Sequence, residues 1–288
     1  MLFPLSGAHY FELYKNRQSR QRVALAGVMR ELSGFSTLIS RVLVWQLELA
    51  SVLAGLTGRP SRAEVLPLLG HGIAWAFGLR GLRIMHDEED VTETFRTAHP
   101  QKYADAISAV EWSLLTGPTE SDLVSLNAVG WDPLAAIHVA EKRAQQEREQ
   151  ALRFDQNDRW RRGRLRDAII ARELSLEWIE QLNGVLTSHG LRITDVMTDR
   201  DGARRLVRAM PSNEVAIELK TAAHRNPQHN WTANDITDID AMALAVPYCD
   251  VVVTEKHAWN ALRAAHLDRR MNTVILRRLE ELPEHLAC

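Results

Sequence analysis

Apolar positions recur along most of this chain at intervals of three and four residues, the period of helices that turn one face to a core. Residues 1–5 are an exception, a short apolar run that reads as a strand. Ser6 then caps a helix through His9-Tyr10-Phe11-Glu12-Leu13-Tyr14. Residues 21–33 set Val23, Ala26, Val28, Met29 and Leu32 near helical spacing, an amphipathic helix that stops at Ser33-Gly34. Residues 36–57 fit a helix or a strand. Over residues 61–209 the pattern is mostly helical, broken at Gly78, at His99-Pro100, at Gly117-Pro118 and at residues 130–133. Its most polar stretch, residues 141–166, mixes both charges densely, the mark of a solvated helix. No fixed-period repeat is visible, which argues against a solenoid of identical units.

The pattern sharpens after Met210-Pro211-Ser212. A helix with Val215, Ile217, Leu219 and Ala222 apolar leads to a polar loop, residues 224–230, and a second helix follows from Trp231 to Pro247-Tyr248. Ile239, Met242, Ala243 and Ala245 suit its buried face. Asp235 and Asp238, three residues apart, point to one side of it. Asp240 lies roughly opposite Asp238, turned to solvent or supporting a neighbouring acid. Cys249-Asp250-Val251-Val252-Val253-Thr254 then reads as a strand buried on both faces, as in a parallel sheet between helices. A helix followed by such a strand, with acids at both ends, is an α/β arrangement.

Composition narrows the setting more than the chemistry. A chain of 288 residues, 45% hydrophobic and 25% charged, is ordinary globular material for one large domain or two modest ones. A formal net charge of −2 excludes adhesion to nucleic acid by the whole surface, so polyanion binding needs a local basic patch. Cys249 and Cys288 form neither a disulfide framework nor a zinc-ligand spacing, and a reducing cytoplasm is the natural expectation. The longest apolar stretches fall far short of the roughly 20 residues of a membrane span. The N-terminus lacks the positive flank and apolar core of a secretory signal.

Clustered carboxylates repel one another unless a hard divalent cation compensates, and oxygen-only ligands favour Mg2+ or Mn2+ over zinc. Such ions hydrolyse phosphodiesters by activating water and stabilising the leaving oxygen. Each acid also has a plainer role: Glu12 as a surface residue, Asp235 as a helix-entry acid favoured by the dipole, Asp250 as a turn or strand cap, Glu255 as a solvated neighbour of Lys256. His9, a lone histidine beside Glu12, is more often packed than catalytic. Arg159-Trp160-Arg161-Arg162-Gly163-Arg164-Leu165-Arg166 is the densest basic run. It is equally a solvated face paired with Asp155, Asp158 and Asp167.

Two separated motifs, Ser6 with Glu12 and Asn234-Asp235 through Asp238-Ile239-Asp240 to Val251-Val252-Val253-Thr254-Glu255-Lys256, together resemble the PIN-like family of metal-dependent ribonucleases, a bacterial subgroup with a large helical insertion. The resemblance covers the two chain ends only. It implies a three-layer parallel-sheet α/β core from residues 1–57 and 210–288, interrupted by an all-helical insertion at 58–209. It further implies Glu12, Asp235, Asp238 and Asp250 as catalytic acids, with Glu12, Asp238 and Asp250 binding Mg2+ or Mn2+. Ser6 and Thr254 would orient ligands, and Arg17, Arg20 and Arg22 would contact RNA backbone. The expected activity is endoribonuclease hydrolysis in a toxin–antitoxin or defence setting, with RNA and an inhibitory or partner protein as partners and a homodimer as the assembly. The family places a first aspartate on a strand well before the glutamate helix, and no acid precedes Glu12 here. Either the true start lies upstream, or the chain is a shortened, non-cleaving interaction module.

Overall fold

Ser6 ends the leading apolar run in extended backbone, and its N–H donates to Nδ1 of His9 (3.0 Å) as α1 (Gly7–Lys15) begins. That bond satisfies one of the donors a helix start leaves open. α2 (Ser19–Ser33) stops at Gly34, whose φ of 55° is a left-handed cap glycine makes without strain. Of its apolar positions only Ala26 is buried, while Val23, Leu25, Val28 and Leu32 stay exposed. The ambiguous stretch resolves into both alternatives in turn, β1 (Ser36–Leu38) and then α3 (Arg41–Thr57).

The computed structural model describes residues 2–58, 66–119, 135–157 and 159–286, with Asp122 and Val124. Residues 130–133, Asp158 and Cys288, which the sequence reading touched, lie outside them. The chain divides into two units, Met1–Ser40 with Pro67–His138 and Arg41–Leu66 with Val139–Cys288. The first is built on Leu5, Tyr10, Leu13, Ala26, Phe35, Ala76 and Leu115. Here β1 pairs antiparallel with β2 (Leu69–His71), Leu5 bridges to Thr37, and α4 (Gly72–Ala76) packs near α6 (Pro100–Thr116). Gly72 is forced by close approach: at φ 78°, a Cβ would lie 1.8 Å from Oε1 of the buried Glu111, whose Oε2 accepts from the Ile73 N–H (2.9 Å). α5 (Thr92–Ala98) and α6 separate at His99-Pro100, and α6 ends at Gly117, as the sequence predicts.

The second unit has α12 (Pro211–Arg225) at its centre, buried along most of its length. Around it lie α3, α7 (Ala135–Asp155), α8 (Leu165–Arg172), α9 (Ile179–Ser188), α11 (Arg200–Arg208) and α13 (Ala233–Tyr248), with the short α10 (Ile193–Val196) between α9 and α11. One apolar cluster joins Trp45, Leu49, Ile169, Trp178, Leu182 and Ile217; another joins Ala216, Trp231, Ile236, Ala243 and Ile275. β5 (Val251–Val253) pairs in parallel with β6 (Val274–Leu276) across α14 (Lys256–Ala264) and α15 (Leu267–Met271), the crossover a parallel pair requires.

This architecture overturns the expected three-layer parallel-sheet α/β core from both chain ends. Among the described residues the strands pair only two by two, β1–β2, β3 (Met85–His86) with β4 (Glu89–Asp90), and β5–β6. The two chain ends belong to different units. The valine strand does pair in parallel, but only Val252 is buried, because Val251 and Val253 alternate onto the other, half-covered face; no third strand flanks it among the described residues. The core lies instead between helices. No helix among the described residues is long and apolar enough to cross a membrane. Cys249 is half-buried and free.

Candidate functional site

The loop after α12 and the first turn of α13 bring several polar side chains together. Thr232 caps α13: its N–H and its hydroxyl both donate to Oδ2 of Asp235 (2.7 Å each), and its hydroxyl oxygen accepts from the Asp235 N–H (3.3 Å). This reciprocal box fixes the helix entry. Oδ1 of Asp235 is 3.4 Å from Nε2 of His229, longer than an ordinary hydrogen bond. Burial pushes the Asp235 carboxyl up, but His229 and Thr232 outweigh it and hold the group below the usual carboxylate range.

The His229 ring stands perpendicular to Trp231 (centroids 4.9 Å apart, 88°) and nearly parallel to His257 (6.1 Å, 11°). His257 lies in the first turn of α14, just past the carboxyl end of β5, where the Thr254 N–H donates to Leu276 O (3.0 Å). The starts of α13 and α14 thus meet at the carboxyl end of the parallel pair, the end at which open α/β sheets bind ligands. Asp238, exposed, sits about one turn beyond Asp235 on the same side of α13. Asp250 is at the opposite end of β5, exposed, its carbonyl accepting from the Val274 N–H (2.9 Å).

The structure therefore gathers Asp235, Asp238 and Thr254 toward one end and leaves Asp250 at the other. Glu12, Ser6, Arg17, Arg20 and Arg22 belong to the first unit. Glu12 pairs with Lys15 on its own helix, and Ser6 is engaged with His9. Arg22 donates to the carbonyls of Thr116, Asn16 (3.2 Å) and Pro118 (2.8 Å), while Arg17 and Arg20 are exposed. In the basic run, Arg161 bonds Asp155 and the His224 carbonyl (2.7 Å), and Arg166 pairs with Glu214 and Glu218. Arg161 follows the plainer reading in its pairing with Asp155, whereas Arg166 turns to glutamates of α12 rather than to the aspartates of its own stretch. His229 and His257 were not singled out by the sequence patterns, because loop spacing does not show which residues meet across a helix and a strand.

A second constellation lies inside the unit. α7 supplies Glu147, a π-helical turn (Glu173–Glu177) supplies both its terminal glutamates, and α12 supplies Lys220 and His224. Nζ of Lys220, with no exposure, lies 3.0 Å from Glu147 Oε1, 2.5 Å from Glu173 Oε1 and 2.8 Å from Glu177 Oε2. Arg172 reaches Glu147 (2.6 Å), and Arg143 bridges Glu177 to Asp240, which Arg41 also contacts. Asp240 thus joins this ion network rather than solvent, and part of the stretch read as a solvated helix, around Glu147, is buried.

Burial raises the carboxyl pKa values throughout, and the neighbours decide the outcome. Lys220, His224 and Arg172 bring Glu147 down to about 2, and Lys220, Arg143 and Arg41 hold Glu177 well below its ordinary value. Glu173 is pushed up to about 7, chiefly by burial and then by the Glu177 charge. The three glutamates are the group, among the described residues, whose ligand atoms approach closely enough to hold a metal ion, within 4.8 Å of one another. The Lys220 ammonium already touches all three, and the acids Glu147, Glu173, Glu177 and Asp240 are balanced by Arg41, Arg143, Arg172 and Lys220. The donor set therefore does not fit a resident metal. It is a neutralised internal network. Its sequence signal was faint, because Lys220 is one of several polar residues on a helix that also carries Asn213, Glu214, Glu218, Thr221 and His224.

No family model, no curated protein and no solved structure matches the chain.

Proposed function

We propose that the protein is a divalent-metal-dependent endoribonuclease whose chemistry is confined to the second unit, where α13 and α14 begin. The observation that carries the reading is the meeting of Asp235, His229 and His257 at the carboxyl end of the β5–β6 pair, with Asp238 one turn further along α13. Asp235 and Asp238 offer hard oxygen donors, which suits Mg2+ or Mn2+. Mg2+ ordinarily keeps several waters and needs only one or two carboxylates besides substrate phosphates, so a closed cage is not required. A metal bound there supplies charge neutralisation and water activation. The protein's own groups receive the phosphate and handle protons. The start of α14, which no side chain caps, leaves N–H groups that favour an anion, and the two imidazoles stand within one site as proton donor and acceptor.

RNA incubated with Mn2+ should be cleaved, EDTA should stop the reaction, and Asp238→Asn should reduce it to background while the thermal midpoint is retained. Cleavage that survives both EDTA and Asp238→Asn would sink the proposal. RNA bound but not cut would favour the non-cleaving module instead.

A further inference from the structure

We infer that His224 and Trp231 are positioning residues for His229, carrying the fixed geometry of the buried glutamate network outward to the site. The inference rests on the reading of that end as catalytic. His229 and Trp231 lie in the connection between α12 and α13, and a connection of this kind is ordinarily among the more mobile parts of a protein. Here it is gripped at each step. The His229 N–H donates to Asn226 O (3.1 Å), and the Trp231 carbonyl accepts from Nη1 of Arg148 on α7 (2.6 Å). Arg148 is itself held by Gln145 and Glu141 one and two turns back along the same helix.

The rings continue the path. Nε2 of His224 is 2.9 Å from Glu147 Oε2, and burial lowers the imidazole pKa despite the carboxylate. A carboxylate oxygen only accepts, so Nε2 donates to Glu147, and that bond fixes the ring plane. The His224 ring meets Trp231 at 4.8 Å, and the same indole meets His229 at 4.9 Å. Trp231 is 1% exposed, so it has no other place to go. The chain Glu147, His224, Trp231, His229 ends at Asp235 and His257. An indole that merely filled the core would not need to keep two imidazoles at fixed angles.

The test uses the full chain in three variants, Trp231→Leu, Trp231→Phe and Arg148→Gln, followed by histidine-ring NMR and by RNA cleavage with Mn2+. Trp231→Leu should abolish the ring-to-ring contact between His229 and His257 and lower kcat about 10-fold or more, the scale of lost outer support, with KM nearly unchanged. Trp231→Phe should restore both, because it keeps an aromatic ring in contact with both imidazoles. Arg148→Gln leaves the core filled and frees only the carbonyl grip, so it decides the matter if Trp231→Leu does not fold; the same losses, smaller in size, are expected. An unchanged His229–His257 contact in the folded variants would overturn the inference. If the wild-type chain cleaves no RNA, the nuclease reading fails alone, and the NMR result still decides whether the ring path positions His229.

Discussion

Replacing Lys220 with Met asks how much the buried network contributes, because methionine is nearly the same length, unbranched and apolar. The ammonium makes three close contacts with carboxylates, each a charge-assisted bond of about 1.5–3 kcal/mol, or roughly 5–9 kcal/mol in gross terms. Against this stands the cost of burying the ammonium, several kcal/mol, which the variant recovers. The glutamates do not all become orphans. Glu147 keeps Arg172 and His224, Glu177 keeps Arg143, and Glu173, already titrating near neutrality, takes up a proton. The net loss should then fall near the usual figure for breaking a buried pair, about 3–5 kcal/mol. For a body of this size that lowers the thermal midpoint by about 6–20 °C. Circular dichroism melts at pH 7.5 would show it, and the deficit should shrink at pH 5.5, where Glu173 is protonated more readily. A loss under about 1 kcal/mol at pH 7.5 would mean that the ion pairs do not hold the helices together, and the reasoning fails.

Two further outcomes follow from single contacts. Glu173 is raised to about 7 in the folded chain from a reference of 4.5, so its contribution is full below pH 4.5 and is lost as pH rises through 7. That is worth about 3 kcal/mol. Because the lowered pKa of His224 produces the opposite slope below pH 6.5, the difference between wild type and Glu173→Gln isolates the effect: urea midpoints measured from pH 4.5 to 8 should converge or cross as pH rises, and parallel curves would refute the assignment. Gly72→Ala should destabilise the first unit by about 2 kcal/mol or more, since it combines a left-handed φ with an overlap on the Glu111 carboxylate; a proteolysis rate across residues 67–116 equal to that of wild type would contradict it.

Periodicity was enough to find α1, α2, α12 and α13 and several helix ends. Ser6, Gly34, Pro100, Gly117 and the Pro211 start each impose a local constraint that no distant contact is needed to read. The sheet was not legible in the same way. Val251, Val252 and Val253 announce a strand and even a parallel neighbour, but how many strands join it depends on pairings between remote segments, and only β6 does so among the described residues. The site divides similarly. Asp235 and Asp238 share a helix side by spacing alone, whereas His229 and His257 become neighbours only once the α13–β5 connection folds the chain back on itself. Asp250, close to Thr254 in sequence, is carried away by the length of the strand between them.

The two constellations are joined through one helix. α13 bears Asp235 in its first turn and Asp240 little more than one turn later, a rise of about 7.5 Å. Arg143 from α7 and Arg41 from α3 fasten Asp240, while Thr232 and His229 engage Asp235. A helix is stiff over this length, so the angle of Asp238 between these two anchors follows from both. Loosening the network at Lys220 should therefore disturb the site through α13 as well as through His224, and the two routes separate by partner. Arg143→Gln releases Asp240 on α13 and Glu177 in the network, but removes no partner of the Glu147–His224 contact. If it slows RNA cleavage while the His229–His257 ring contact persists, the helix route acts independently; if it leaves cleavage untouched, the orientation of Asp238 owes nothing to the buried ions.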